Sequence, residues 1–260
     1  MTLRTHSLSV TFGPAAAAPV LDKVDFSLEP GRFDVIVGAN GAGKSTLLRA
    51  LAGIQAPSQG SVSLDEHNLK GLSMAARARQ IGFLPQEVAP AFAYSVADTV
   101  ALGARVAGFG HWFDHGLNAS ATRAVDAALE QVDALNLRAR RLDELSGGER
   151  RRVLIASVLA QKPRYLLLDE PAAMLDLHHQ SELFGLLRRL AQEGLGVGCV
   201  THDWNLAVGF ADRLTVLHQS RILATGPPAE LLTSTVLETV FGAHFALLQH
   251  PDGRPVVVAQ

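Results

Sequence analysis

The sequence is almost without cysteine. Cys199 stands alone among 260 residues, which excludes an internal disulfide framework and suits a reducing compartment. Long hydrophobic runs are missing too. Although 48% of the residues are hydrophobic, no apolar stretch reaches the roughly 18 residues expected of a membrane-spanning helix. Charge of one sign is also scarce: 23 Lys and Arg against 25 Asp and Glu leave a net −2, so the chain has no bulk attraction to nucleic acid, although a local basic patch is compatible with that number. No signal peptide is expected either, because Leu8-Ser9-Val10-Thr11-Phe12 alternates like a strand. The length allows one large domain or two small ones, and the apolar content can bury a sizeable core.

Gly38-Ala39-Asn40-Gly41-Ala42-Gly43-Lys44-Ser45-Thr46 fits the phosphate-loop pattern. The apolar run Phe33–Val37 before it reads as a buried strand. Leu47, Leu48 and Leu51 after it give a helical stripe. Gly38, Gly41 and Gly43 let the backbone turn tightly and approach a ligand. Backbone N–H groups and the helix N-terminus then make an anion site. Lys44 can reach the terminal phosphates, and the Ser45 hydroxyl can hold Mg²⁺.

Three further polar sites follow apolar strands, where open α/β sheets place ligands. Asp169 ends Tyr165-Leu166-Leu167-Leu168 and can hold Mg²⁺. Glu170, next in the chain, can orient or deprotonate an attacking water. Gln86, after Ile81–Leu84, offers an amide oxygen to Mg²⁺ or water. His202, after Val197–Val200, can donate to a γ-phosphate oxygen. Phe12 stands before a Gly-Pro and alanine loop, and is either an adenine-stacking ring or a core Phe. Ser146-Gly147-Gly148-Glu149 is a second glycine-rich helix start. Its N–H groups can take another phosphate, which points to a dimer with two nucleotides at the interface; a plain capped helix is the alternative.

Strand and helix patterns alternate along the chain, predicting a mostly parallel sheet covered on both faces. The character turns helical from about 87 to 160. Helices are expected from Tyr94 or Ser95 to Ala104, around Ala124–Val132, from Arg150 to Ala160 and from Leu177 to Gln192. Leu214–Leu217 and Arg221–Ala224 read as a hairpin, and the residues after Gly226-Pro227-Pro228 as a short helical ending. Arg77 and Arg79 are expected to face solvent. His178 and His179 read as helix surface. His111 and His115 lie in a glycine-rich loop with no Cys or third acid to complete a metal site.

Taken together, these motifs resemble the ATP-binding cassette (ABC) transporter ATPases over nearly the whole chain. Leu145-Ser146-Gly147-Gly148-Glu149 matches the family signature. Gly38–Thr46 matches Walker A, and Tyr165–Glu170 matches Walker B. Gln86 falls at the Q-loop, Ala173-Met174-Leu175-Asp176 at the D-loop, His202 at the switch histidine and Phe12 at the adenine-stacking position. Ala172-Ala173 departs from the commoner Thr-Ser of the D-loop. The resemblance implies a P-loop NTPase core (1–86 and 161–260) with an antiparallel β edge and an inserted helical subdomain (87–160). It implies ATP and Mg²⁺ as ligands and a head-to-tail dimer, with each ATP between the Walker A motif of one copy and the signature of the other. Lys44, Gln86, Glu170 and His202 would then serve catalysis; Ser45, Gln86 and Asp169 would hold Mg²⁺. Phe12, Gly38, Asn40, Gly41, Gly43, Lys44, Ser45, Thr46, Ser146, Gly147 and Gly148 would hold the nucleotide.

Finer stretches are similar to ATPases of iron-chelate, haem and cobalamin importers: Ser95–Gly103, Asp176–Gln180, Thr201–Ala207 and the ending from Ala224 to Pro251. That likeness implies a peripheral subunit on the cytoplasmic face of the inner membrane. It would work with two permease subunits and, indirectly, a periplasmic or surface substrate-binding protein, on haem or a ferric siderophore, and without nucleic acid. Phe92, Tyr94 and the loop 108–116, with Trp112 and Phe113, become candidate docking surface. A soluble ABC scaffold without a membrane partner, such as one in iron–sulfur cluster biogenesis, is the alternative. DNA-repair and translation members usually carry long insertions or two cassettes, which this chain does not.

Overall fold

The computed structural model describes residues 2–13, 18–87, 94–109, 118–242, 245–251 and 253–259. Its main sheet has six strands in the spatial order Arg221–Gly226, Arg213–His218, Phe33–Val37, Gly196–Val200, Tyr165–Asp169, Ile81–Leu84. All neighbours run parallel except the edge hairpin 213–226, which is antiparallel. Three of these strands, Phe33–Val37, Tyr165–Asp169 and Gly196–Val200, are buried at every residue. That is why they read as unbroken apolar runs rather than alternating ones.

Alternation survives in which core each residue enters. Val35, Val37, Leu166 and Leu168 face one apolar cluster. Ile36, Tyr165 and Leu167 face another, as the two-residue period of a strand requires. The first cluster holds the helices Val96–Val106, Ala119–Gln131, Gly147–Leu159 and Leu177–Gln192. The second holds the helix Lys44–Leu51 and a small antiparallel sheet in which Leu3–Val10 pairs with Leu21–Val24, Ser27–Leu28 and Gln59–Leu64. The fold is therefore α/β with an antiparallel β edge.

Parallel strands end on the same side, so their registers bring the following loops together. Ile36, Val200 and Asp169 are aligned across three adjacent strands, and Leu168, Cys199 and Val35 one step earlier. The phosphate loop, Glu170 and His202 thus start within one or two residues of a common edge.

Several helices begin at side-chain caps: Ser95, Asn118, Ser146, Asp176 and Asp203 each accept a backbone N–H from the first turn. Two expectations need correction. Arg77 does not simply face solvent; its guanidinium donates to the Gly53 carbonyl at 2.7 Å and satisfies the end of the 44–51 helix. The C-terminal stretch is more than helical. After Pro228–Leu231 and Ser234–Phe241 comes an antiparallel hairpin, Phe245–Gln249 with Pro255–Ala259. Asn205 fixes it by exchanging two hydrogen bonds with the Val257 backbone. No helix of the described residues is long and apolar enough to cross a membrane.

One packing contact is unusually close. A Cβ added at Gly103 would lie 1.7 Å from the Ser157 carbonyl oxygen on the neighbouring helix. Gly103→Ala must push these helices apart, and is expected to destabilise the fold by about 1–3 kcal/mol. A lowered Cm with an unchanged m-value in urea unfolding checks this; unchanged stability would show that the contact is soft.

Candidate functional site

The loop after Phe33–Val37 is shaped by backbone approach. A Cβ at Gly38 would sit 2.0 Å from the Leu217 carbonyl oxygen. Gly43, at φ +101°, caps the 44–51 helix, and a Cβ there would meet the Val20 carbonyl at 2.6 Å. Lys44 is only 6% exposed. Its ammonium donates to the carbonyls of Gly38 and Ala39, at 2.9 and 3.0 Å, so the loop closes on its own lysine. Burial pulls the Lys44 pKa below its ordinary value, while the Glu170 and Asp169 carboxylates pull it back.

Asp169, 1% exposed, accepts a hydrogen bond from the Ser45 hydroxyl at 2.8 Å. Burial raises its pKa, and the Ser45 contact opposes that. A buried carboxylate beside a hydroxyl is an oxygen donor set. It fits Mg²⁺, which is commonly held by one or two carboxylates together with substrate phosphates. Glu170 follows with φ +45°, a left-handed conformation that costs a non-glycine residue roughly 1–2 kcal/mol. The turn carries the carboxylate out of the strand. There its Oε2 lies 2.9 Å from Nδ1 of the more exposed His202.

Gly38, Ala39, Asn40, Gln86, Glu170 and His202 line one cleft. The structure therefore brings together most of the residues that the sequence singles out for hydrolysis. Gln86 is exposed two residues beyond its strand. It lines this cleft beside Glu170 and His202. Phe12 is 53% exposed at the end of Leu3–Val10. The core alternative is thereby removed, and the ring is free to stack. One lining residue was not foreseen: Phe241, from the last helix, closes the cleft beside Trp204, with ring centroids 5.8 Å apart.

The second glycine-rich helix start forms a reciprocal cap. The Ser146 hydroxyl accepts the Glu149 N–H, and the Glu149 carboxylate takes both the Ser146 N–H and its hydroxyl. Those bonds hold the Glu149 carboxyl below the usual range. Ser146, Gly147 and Gly148 do not line the cleft of their own chain. Leu175 lies against Gly147, and nearby in the chain Met174 and Leu177 are 97% and 81% exposed. His179 is not mere helix surface. Its Nδ1 lies 2.8 and 2.9 Å from the two carboxylate oxygens of Asp176. Its ring also packs so close to Gly148 that a Cβ there would be 2.6 Å away. The pair of adjacent histidines hid this, because only the packing of two helices creates it. Phe92, His111, Trp112, Phe113 and His115 lie outside the described residues; Tyr94 is half exposed.

Comparison with known proteins gives a consistent result. The family described as ABC transporter matches residues 21–173. The hemin import ATP-binding protein HmuV of Hahella chejuensis is 42% identical over 248 residues, covering 92% of this chain and 93% of that protein. Its namesake in Bordetella pertussis is 41% identical, with all of both chains covered. Among solved structures, a candidate metal-chelate type ABC transporter in an inward-facing conformation superposes with a TM-score of 0.83 at 29% identity, covering 100% of this chain and 98% of that one. The dimeric bacterial ABC transporter cassette MJ0796 superposes with a TM-score of 0.73 at 25% identity, covering 87% and 98%.

Proposed function

This chain belongs to the ABC transporter family of ATPases, and from that premise we propose that its hydrolysis of ATP energises uptake of an iron chelate, haem or a ferric siderophore, through separate membrane subunits. The observation that carries the choice of substrate is similarity over the full length to hemin import ATP-binding proteins. The likeness to a candidate metal-chelate type transporter supports it. Cobalamin import is the second reading, since the same stretches resemble ATPases of that group.

In this reading two copies close head to tail on two ATP molecules, at the cytoplasmic face of the inner membrane. Lys44 and the amides of Gly38–Thr46 neutralise phosphate charge, with Asn40 and Thr46 in the same cradle. Ser45, Asp169 and the Gln86 amide would hold Mg²⁺, which when bound would supply positive charge to offset that of the phosphates. Glu170 takes the proton of a water aligned with the γ-phosphate. His202, held against Glu170 at 2.9 Å, donates to a γ-phosphate oxygen. The partner copy's signature residues, equivalent to Ser146, Gly147 and Gly148, complete the phosphate cradle. The Phe12 ring stacks on adenine. The helices between 87 and 160 form the signature subdomain, and Gln86, at its border, couples the ATP site to the docked permeases.

The test is growth of a strain whose only copy carries Glu170→Gln, under iron limitation, with haem, ferric siderophores and free iron supplied one at a time. Loss of growth on one chelate, with growth on free iron retained, is expected. Normal growth on every iron source would overturn the iron-chelate reading in favour of cobalamin.

A further inference from the structure

The helix Gly147–Leu159 carries the signature at its start and, inside its second turn, a buried arginine. Arg151 is 8% exposed. Burying a guanidinium costs several kcal/mol unless its charge and donors are matched. A carboxylate would be the usual match, yet the bonds Arg151 makes go to main-chain oxygens. Nη1 donates to the carbonyls of Pro85 and Gln86 at 3.3 and 3.4 Å, and Nη2 donates to the carbonyl of Asp169 at 3.4 Å. Its Nε has no partner. Burial lowers the Arg151 pKa to about 10, so the group stays charged at neutral pH. Cys199 and the Asp169 carboxylate are near enough to act on its charge, but neither is hydrogen-bonded to the guanidinium among the described contacts. Such a residue is hard to explain by stability, because an apolar side chain of similar volume would avoid the cost.

Its position offers an explanation. Pro85 and Gln86 leave the edge strand Ile81–Leu84, and Asp169 ends the adjacent strand Tyr165–Asp169. One planar fork therefore spans the ends of two neighbouring strands, each of which supplies an oxygen ligand for Mg²⁺ in the reading above. The fork is fixed to the helix Gly147–Leu159, which begins at the signature cap Ser146.

We propose that Arg151 is a positioning residue that sets the spacing of Gln86 and Asp169 for Mg²⁺ and ties that spacing to the orientation of the signature helix of the same chain. It touches neither nucleotide nor metal. A lysine could not replace it, since a single ammonium cannot hold carbonyls on both strands in a fixed plane. The proposal rests on the ATP-site reading and extends it.

The test compares nucleotide affinity with and without metal, by calorimetry on the purified chain. ATP is titrated in EDTA and again in excess Mg²⁺, for wild type, Arg151→Met and Arg151→Lys. Supporting groups behind metal ligands typically affect metal affinity by 10- to 100-fold, so Arg151→Met is expected to lose roughly tenfold or more of the Mg²⁺-dependent gain in affinity while affinity in EDTA stays within about twofold. Arg151→Lys should fall between Met and wild type. If the Met variant does not fold, the Lys variant carries the comparison. An unchanged Mg²⁺ gain in a cooperatively folded variant would overturn the proposal. So would equal losses in both buffers, the result of a purely structural role. Failure of the wild-type chain to bind ATP in either buffer would overturn the ATP-site reading itself, and would be seen before any substitution is made.

Discussion

Glu170→Gln is expected to lower kcat for ATP by roughly 10²-fold or more while nucleotide binding persists, because general-base catalysis is worth about 10²–10⁴. The structure explains why the two effects should separate. Glu170 does not hold the phosphate loop: its side chain contacts His202, while its backbone N–H bonds the Val200 carbonyl. A glutamine keeps the shape and can still hydrogen-bond the imidazole, but it cannot accept a proton from water. The strained φ of Glu170 is a backbone property of the turn after Asp169 and should survive the change. Single-turnover hydrolysis alongside equilibrium binding checks the prediction. Wild-type turnover would remove Glu170 from the chemistry and leave His202 as the first alternative.

Lys44→Ala should do the opposite and act mainly on binding. A hydrogen bond to a charged group is worth about 1.5–3 kcal/mol, which corresponds to roughly 10- to 100-fold in ATP affinity. Two features of the site bear on the size of the loss. Without nucleotide the ammonium is occupied by the Gly38 and Ala39 carbonyls, so part of its interaction energy is already spent and the net loss is reduced. Against that, removing the cation leaves Asp169 and Glu170 facing incoming phosphates with less compensating charge. That repulsion is weakly screened at a buried position, which places the expected loss toward the upper end of the range. Unchanged affinity in a direct binding titration would contradict the assigned role of the loop.

How much of this was legible in the sequence follows from the kind of interaction involved. The strand–loop–helix around Gly38–Thr46 could be read because each part has a local cause: a fully buried strand, backbone turns that need glycine, and an apolar helical stripe. Asp169, Glu170 and His202 could be read because parallel strands share one end, so residues far apart in sequence reach a common edge by topology alone. The caps Ser146 and Asp203 have the same kind of local cue, whereas Asn118 and Asp176 show as caps only in the structure. What escaped was set by packing between elements. Arg151 looks like one of three consecutive solvent-facing arginines, Arg150 to Arg152, and only the approach of its helix to two strand ends shows which one is buried. The contact of His179 with Gly148 has the same origin. The final hairpin has a turn cue in Asp252-Gly253, but its strands are runs such as Val256-Val257-Val258 with no polar–apolar alternation, so the sequence does not distinguish them from helix. Phe12 was undecidable from sequence because a strand-end aromatic can turn either way; its exposure decides.

The most direct test of an ATP site shared between two copies is the sedimentation mass of the Glu170→Gln chain with and without Mg²⁺-ATP. The cleft of one chain is lined by Gly38, Asn40, Gln86, Glu170 and His202 but not by Ser146, Gly147 or Gly148. The expected result is a single-chain mass without nucleotide and twice that mass with it, the dimer being abolished by Lys44→Ala in the same chain. A chain that binds Mg²⁺-ATP at saturation and still sediments as a monomer would contradict it.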